Sequence, residues 1–121
     1  MAHYVEGIKQ LSFSEVKELF DQSVKTPILI DVRELEEYTE AHIPGIPLIP
    51  MSEIANRAGD FAKDEEYVFV CRSGRRSHEV AKFFQENGVD KVANYEGGML
   101  EWDGPVETGE EHVVKKISEL Y

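Results

Sequence analysis

The stretch Tyr67-Val68-Phe69-Val70-Cys71-Arg72-Ser73-Gly74-Arg75-Arg76-Ser77-His78-Glu79-Val80-Ala81 decides the fold. Its first five residues, Tyr67 to Cys71, alternate aromatic and β-branched side chains and carry no charge, which predicts a buried strand ending on the cysteine. Gly74 then allows a tight turn. Val80, Ala81, Phe83 and Phe84 form one stripe at helical spacing, so a helix is expected over about 75–86, stopped by Asn87-Gly88. A thiol at that junction faces unpaired backbone N–H groups and the positive end of the helix dipole. Both favour the thiolate, which is the nucleophile, and three arginines follow within five positions. Chemistry carried by Cys71 is the working expectation.

Outward from this unit, strands and helices alternate. Ser12 and Glu15 fit a capping box for an amphipathic helix over about 13–22, with Val16, Leu19 and Phe20 on one face and Leu11 in a short strand before it. Pro27 to Val32 is an apolar run closed by Asp31, the pattern of a central parallel strand buried on both faces. A polar helical stretch from Glu34 to Glu40 follows, with Leu35 and Tyr38 expected to face inward. Residues 41–50 carry three prolines and should form a loop with one brief strand near 46–48. Ser52 is placed to cap a short helix reaching about Arg57. Val89 to Tyr95 supplies a last strand, and Gly97-Gly98 a turn into one or two helical turns ending near Trp102. Such alternation predicts an α/β fold around a mostly parallel sheet. Residues 1–103 are assigned to this domain. Residues 104–121 are a C-terminal extension in which Val113, Val114, Ile117 and Leu120 suggest a short amphipathic helix, packed on the domain or on a partner.

Composition narrows the functional classes. A chain of 121 residues, 41% hydrophobic and 31% charged, is one ordinary globular domain able to bury a core without staples. One cysteine rules out an internal disulfide and suits a reducing compartment. The opening Met1-Ala2-His3-Tyr4-Val5-Glu6-Gly7 has no leader pattern, and no apolar run approaches the ~20 residues that cross a bilayer, so a cytoplasmic location away from membranes is expected. With 24 acidic against 13 basic residues, the formal charge is −11, which disfavours nucleic acid. Yet Arg72, Arg75 and Arg76 cluster beside the lone thiol, and a local basic pocket in an acidic protein fits a small anionic substrate. The four histidines and one cysteine lack the spacing of metal ligands, and no cofactor is implied.

Asp31-Val32-Arg33-Glu34, His42-Ile43-Pro44-Gly45, Cys71-Arg72-Ser73-Gly74-Arg75-Arg76-Ser77 and Gly97-Gly98 before Trp102, in this order and spacing, make the chain resemble a single-domain rhodanese, the thiosulfate sulfurtransferase-like family. The match covers about Leu11 to Trp102. The resemblance implies a three-layer α/β sandwich around five mostly parallel strands, with the Cys71 loop at the C-terminal edge of the sheet. It also implies transfer of a sulfane sulfur from thiosulfate or another persulfide donor, through a Cys71 persulfide, to a thiol or to cyanide. A sulfur-relay protein is a possible partner on the same grounds. Enzymes of similar fold that cleave phosphate esters, or reduce arsenate, use a loop one residue longer, with arginine six positions after the cysteine. Here that position is Ser77, and the arginine is Arg76.

The remaining residues receive roles on the same reading. Arg72 and Arg76 are candidates for binding the donor and holding the thiolate, while Arg75 either joins them or points to solvent. Ser73 and Ser77 either donate hydroxyls to sulfur or cap the following helix. The amides of Arg72 to Arg76, curled by Gly74, would cradle the outer sulfur. Asp31 is expected to orient a loop arginine, Arg33 to pair with Glu37 or another acid, His42 to brace its loop, and His78 to face water. Two rivals stand beside sulfur transfer: a phosphatase or arsenate-reductase-like enzyme, and a non-catalytic interaction module in which Cys71 is incidental.

Overall fold

A computed structural model describes residues 3–121; Met1 and Ala2, which opened the leader reading and the 1–103 domain, lie outside the described residues. Among the described residues, five strands form one sheet: β1 (His3–Val5), β2 (Ile8–Leu11), β3 (Ile28–Asp31), β4 (Tyr67–Val70) and β5 (Val92–Tyr95). Their order is β1-β2-β5-β4-β3, with β1 antiparallel to β2 and every other pairing parallel. The helices are α1 (Phe13–Asp21), α2 (Leu35–Glu40), α3 (Met51–Arg57), α4 (Arg75–Glu86) and α5 (Gly98–Glu101). The chain therefore has the expected α/β architecture, with a short antiparallel hairpin strand, β1, that its three residues did not announce.

Two-residue periodicity in β4 makes the layers. Tyr67, Phe69 and Cys71 enter one core with Ile54 of α3 and Val80, Ala81 and Phe84 of α4. Val68 and Val70 enter the opposite core with Val16 of α1 and Tyr38 of α2. Helices thus cover both faces, as parallel sheets require. Register brings Asp31 level with Val70 and Phe69 level with Asn94, so the ends of β3, β4 and β5 open at one edge.

Several local expectations change. The capping box on α1 forms, with Ser12 Oγ accepting from the Glu15 amide. α3 begins instead after Pro50, and the Ser52 hydroxyl donates to Glu34 Oε1 at 2.9 Å, so Ser52 caps nothing. Leu35, the first residue of α2, lies 37% exposed while Tyr38 is fully buried. Phe83 is likewise exposed on α4, beside a stripe narrowed to Val80, Ala81 and Phe84. Cys71 stands one residue beyond β4, and β5 starts at Val92 rather than Val89.

β3 is last in the strand order, not central. Its apolar character has another cause. Residues 47–49 run along its outer edge, where the Asp31 amide donates to Pro47 O and the Ile49 amide to Asp31 O, each at 2.9 Å. Leu48 in turn bridges Val113, with the Val114 amide donating to Leu48 O at 3.1 Å. The tail is therefore extended where it meets the domain, burying Val114 and Ile117. Only a 3-10 turn, Ile117–Leu120, replaces the amphipathic helix expected there. An extended path satisfies the backbone of an otherwise open edge, which a helix at that position would leave unpaired.

Candidate active site

Cys71 follows β4, and its main chain is fixed before its chemistry begins. The Met99 amide donates to Cys71 O at 2.9 Å and the Leu100 amide to Arg72 O at 3.0 Å, so α5 is stitched to the loop. This contact requires Gly98: a Cβ there would lie 2.4 Å from Arg72 O and 2.7 Å from Cys71 O. Gly74 adopts φ +88°, and its Cβ position is 2.0 Å from Glu96 O, so no other residue permits the turn.

The sulfur is enclosed by donors. Cys71 Sγ accepts from the amides of Gly74 at 3.2 Å and Ser77 at 3.3 Å, and from Ser77 Oγ at 3.2 Å. Ser77 is the third residue of α4 behind a Gly74 N-cap, so its hydroxyl serves the sulfur rather than the helix end. Cys71 has no exposed surface, so a reagent reaches Sγ only when the loop gives way over it. Among the described residues, the amides of Arg72, Ser73, Arg75 and Arg76 make no hydrogen bond. Arg72, Ser73 and Arg75 are exposed.

The third arginine is differently employed. Arg76 Nη1 and Nη2 donate to Glu37 Oε1 at 2.7 Å and Oε2 at 2.8 Å, a bidentate bridge from α4 to α2. That guanidinium pulls the Glu37 carboxyl down to about 2, against the effect of burial. Glu37 likewise holds Arg76 more firmly protonated, with a smaller contribution from negative charge on Cys71. Since the folded Glu37 titrates below its ordinary 4.5, its stabilising contribution is complete above that value and disappears as pH falls toward 2. The stability difference between the wild type and Glu37→Gln should therefore be largest near neutrality and shrink between pH 4.5 and 2.5, measured by urea unfolding. A difference that stays constant across this range would mean that the bridge contributes nothing.

Sequence reasoning placed Asp31 on a loop arginine and Arg33 on Glu37 or another nearby acid. Arg33 takes the nearby acid, Asp31, which therefore orients no loop arginine. Asp31, fully buried, holds Arg33 through Nε at 3.1 Å and Nη2 at 2.8 Å, and Nη2 also donates to Ala41 O at 2.7 Å. Two residues apart at the end of β3, they close on each other, leaving Glu37 free to face α4. His42 is buried with its ring stacked on Tyr38 at 3.8 Å; its nitrogens lie 2.8 Å from Tyr38 O and 2.9 Å from Glu111 Oε1. Glu111 is held below the usual carboxylate range, first by the Gly45 amide and then by His42. His78 does not face water: its ring meets Gln10 Nε2 at 3.1 Å and Glu6 Oε1 at 2.9 Å. Glu111, Gln10 and Asn94 were missed, as was the bond of Glu37 to Arg76. Asn94 alone left a signal, as an amide inside an apolar strand. Among the described residues, no group of three His, Cys, Asp or Glu could hold a metal ion, and no helix is long and apolar enough to cross a membrane.

A cysteine cradled at the C-terminal edge of a parallel α/β sheet defines a class of thiol-loop proteins. Residues 12–104 match the family model "Rhodanese-like domain", and the chain belongs to that family. A Bacillus subtilis protein named as a sulfurtransferase is 44% identical over 80% of this chain and 92% of its own length. A second Bacillus subtilis relative, named as a sulfur carrier protein, is 40% identical over 84% of this chain, which spans only 54% of it. The thiosulfate:glutathione sulfurtransferase of Saccharomyces cerevisiae is 30% identical over 81% of this chain and 80% of its own. Among solved structures, a rhodanese-like domain protein from Staphylococcus aureus superposes with a TM-score of 0.72 at 36% identity, covering 84% of this chain and 98% of that one.

Proposed function

We propose that the chain is a sulfurtransferase that moves one sulfane sulfur through a persulfide on Cys71. The observation that carries this reading is the sulfur's setting: one thiol held by the Gly74 and Ser77 amides, with the other loop amides unpaired. The Cys71 thiolate attacks the outer sulfur of thiosulfate or of another persulfide donor. A new S–S bond forms and the old one breaks, its electron pair leaving on sulfite when thiosulfate is the donor and on a thiolate when a persulfide is. The persulfide's outer sulfur, a single anionic atom, takes the free amides of Arg72 to Arg76. Exposed Arg72 and Arg75 draw in the anionic donor, while Arg76 stays on Glu37. A thiolate acceptor then attacks the outer sulfur and regenerates Cys71, a double displacement with ping-pong kinetics. The Saccharomyces relative, named for thiosulfate and glutathione, supports a thiol as acceptor.

Intact mass tests this. After thiosulfate treatment, the protein should gain one sulfur, about 32 Da, released as thiocyanate by cyanide and lost to reductant. Cleavage of a phosphate ester without any such gain would overturn sulfur transfer in favour of the phosphatase reading.

A further inference from the structure

Behind the sulfur runs a buried chain of amides whose hydrogen-bond directions can be assigned. Asn94 Nδ2 lies 2.9 Å from Gly74 O and 2.9 Å from Gln10 Oε1. A carbonyl only accepts, so the nitrogen faces Gly74, and Asn94 Oδ1 must face Ser77 Oγ as an acceptor. Gln10 is fixed the same way, since its Nε2 donates to Ile8 O at 3.1 Å. Ser77, Asn94 and Gln10 are all at least 95% buried, so no solvent offers an alternative partner.

The Ser77 hydroxyl has one proton and two claimants, Cys71 Sγ at 3.2 Å and Asn94 Oδ1. We infer that Asn94 is a positioning residue that acts through Ser77, its carbonyl competing with the Cys71 sulfur for that single hydroxyl proton. This rests on the persulfide reading above. While Cys71 is an anionic thiolate, the proton turns to Sγ. Once the S–S bond forms, Sγ is neutral, the charge is on the outer sulfur, and the hydroxyl returns to Asn94. Asn94 thus favours the loaded protein over the unloaded thiolate, and no electron or proton leaves the site. Other charged or titratable groups around this chain are Arg76 with Glu37 on the loop side and His78 with Glu6 beyond Gln10.

Asn94→Leu, Ser77→Ala and the double variant test the competition by two readouts, each with a predicted sign. One is the pH profile of Cys71 alkylation by iodoacetamide in unloaded protein. The other is discharge of the persulfide to cyanide, followed by intact mass. In Asn94→Leu the hydroxyl belongs to sulfur alone, so alkylation should shift to lower pH and discharge should quicken several-fold. Ser77→Ala should do the reverse, slowing discharge about tenfold for a lost donor. The double variant should match Ser77→Ala, because Asn94 has nothing left to act through. Equal signs in the two single variants, or an Asn94→Leu effect that persists without Ser77, would reduce Asn94 to a packing residue. If Asn94→Leu does not fold, Gln10→Met, which frees the Asn94 amide, should give the same signs in smaller measure; a wild-type response there overturns the inference. A wild type that takes up no sulfur removes the proposed function, yet the alkylation profiles still judge the competition.

Discussion

A Cys71→Ser protein is expected to take up no sulfur from thiosulfate and to form thiocyanate no faster than buffer, a loss of at least about 10³-fold for removal of the sole nucleophile. No second cysteine exists to substitute. The fold should survive, because serine keeps an acceptor for the amides of Gly74 and Ser77 in nearly the same volume. Thermal unfolding should therefore stay close to wild type while the 32 Da gain vanishes. A serine variant that keeps a tenth of the thiocyanate rate would show that the sulfur passes elsewhere. Loss of transfer with retained binding of a partner protein would instead reveal a second, non-catalytic role for the domain.

The largest stability effect should come from the ion pair at the end of β3. Arg33→Ala leaves the Asp31 carboxylate, with no exposed surface, facing only the amide of residue 33 at 3.0 Å. An uncompensated buried charge costs about 3–5 kcal/mol. Against the ~5–15 kcal/mol that holds a typical domain folded, this means a fall of roughly 10–20 °C in Tm. The control separates charge from packing: Asp31→Leu with Arg33→Met removes both members and should recover most of the loss. A single Arg33→Ala variant within about 1 kcal/mol of wild type by urea unfolding would show that the carboxylate finds another partner or takes up a proton.

The part of the fold nearest the cysteine was legible because its signals are local. Strand, glycine turn and helix stripe follow one another within twenty residues, and the helix starts after the Gly74 turn and ends at the Asn87-Gly88 stop. What stayed hidden depends on neighbours distant in sequence. Glu37 and Arg33 are four apart, a natural helical pair, but Arg33 turns back to Asp31 and Glu37 reaches across 39 residues to Arg76. Leu35 and Phe83 have the right spacing for burial, yet both lie exposed. Pro27 to Val32 reads as central because both faces and its outer edge are covered, yet the cover comes from the loop at 47–49 and not from a further strand. Val113, Val114, Ile117 and Leu120 fit a helix in the sequence. The demand of Leu48 for backbone partners stretches the first two out. The amides on the sulfur come from its own loop, close in sequence, but its second wall, Ser77 with Asn94 behind it, needed the pairing of β5 with β4 to appear.

The tail has a consequence for how this protein is to be handled. The family match ends at residue 104, whereas Glu107, His112 and Val114 exchange main-chain bonds with His42 and Leu48, and Arg57 grips the carbonyls of Val114 and Lys115. The boundary inherited from the family thus cuts through shared main-chain hydrogen bonds. Anyone trimming the gene to the shared module would strip a selvedge from the fabric and expose sticky backbone to its neighbours in the tube.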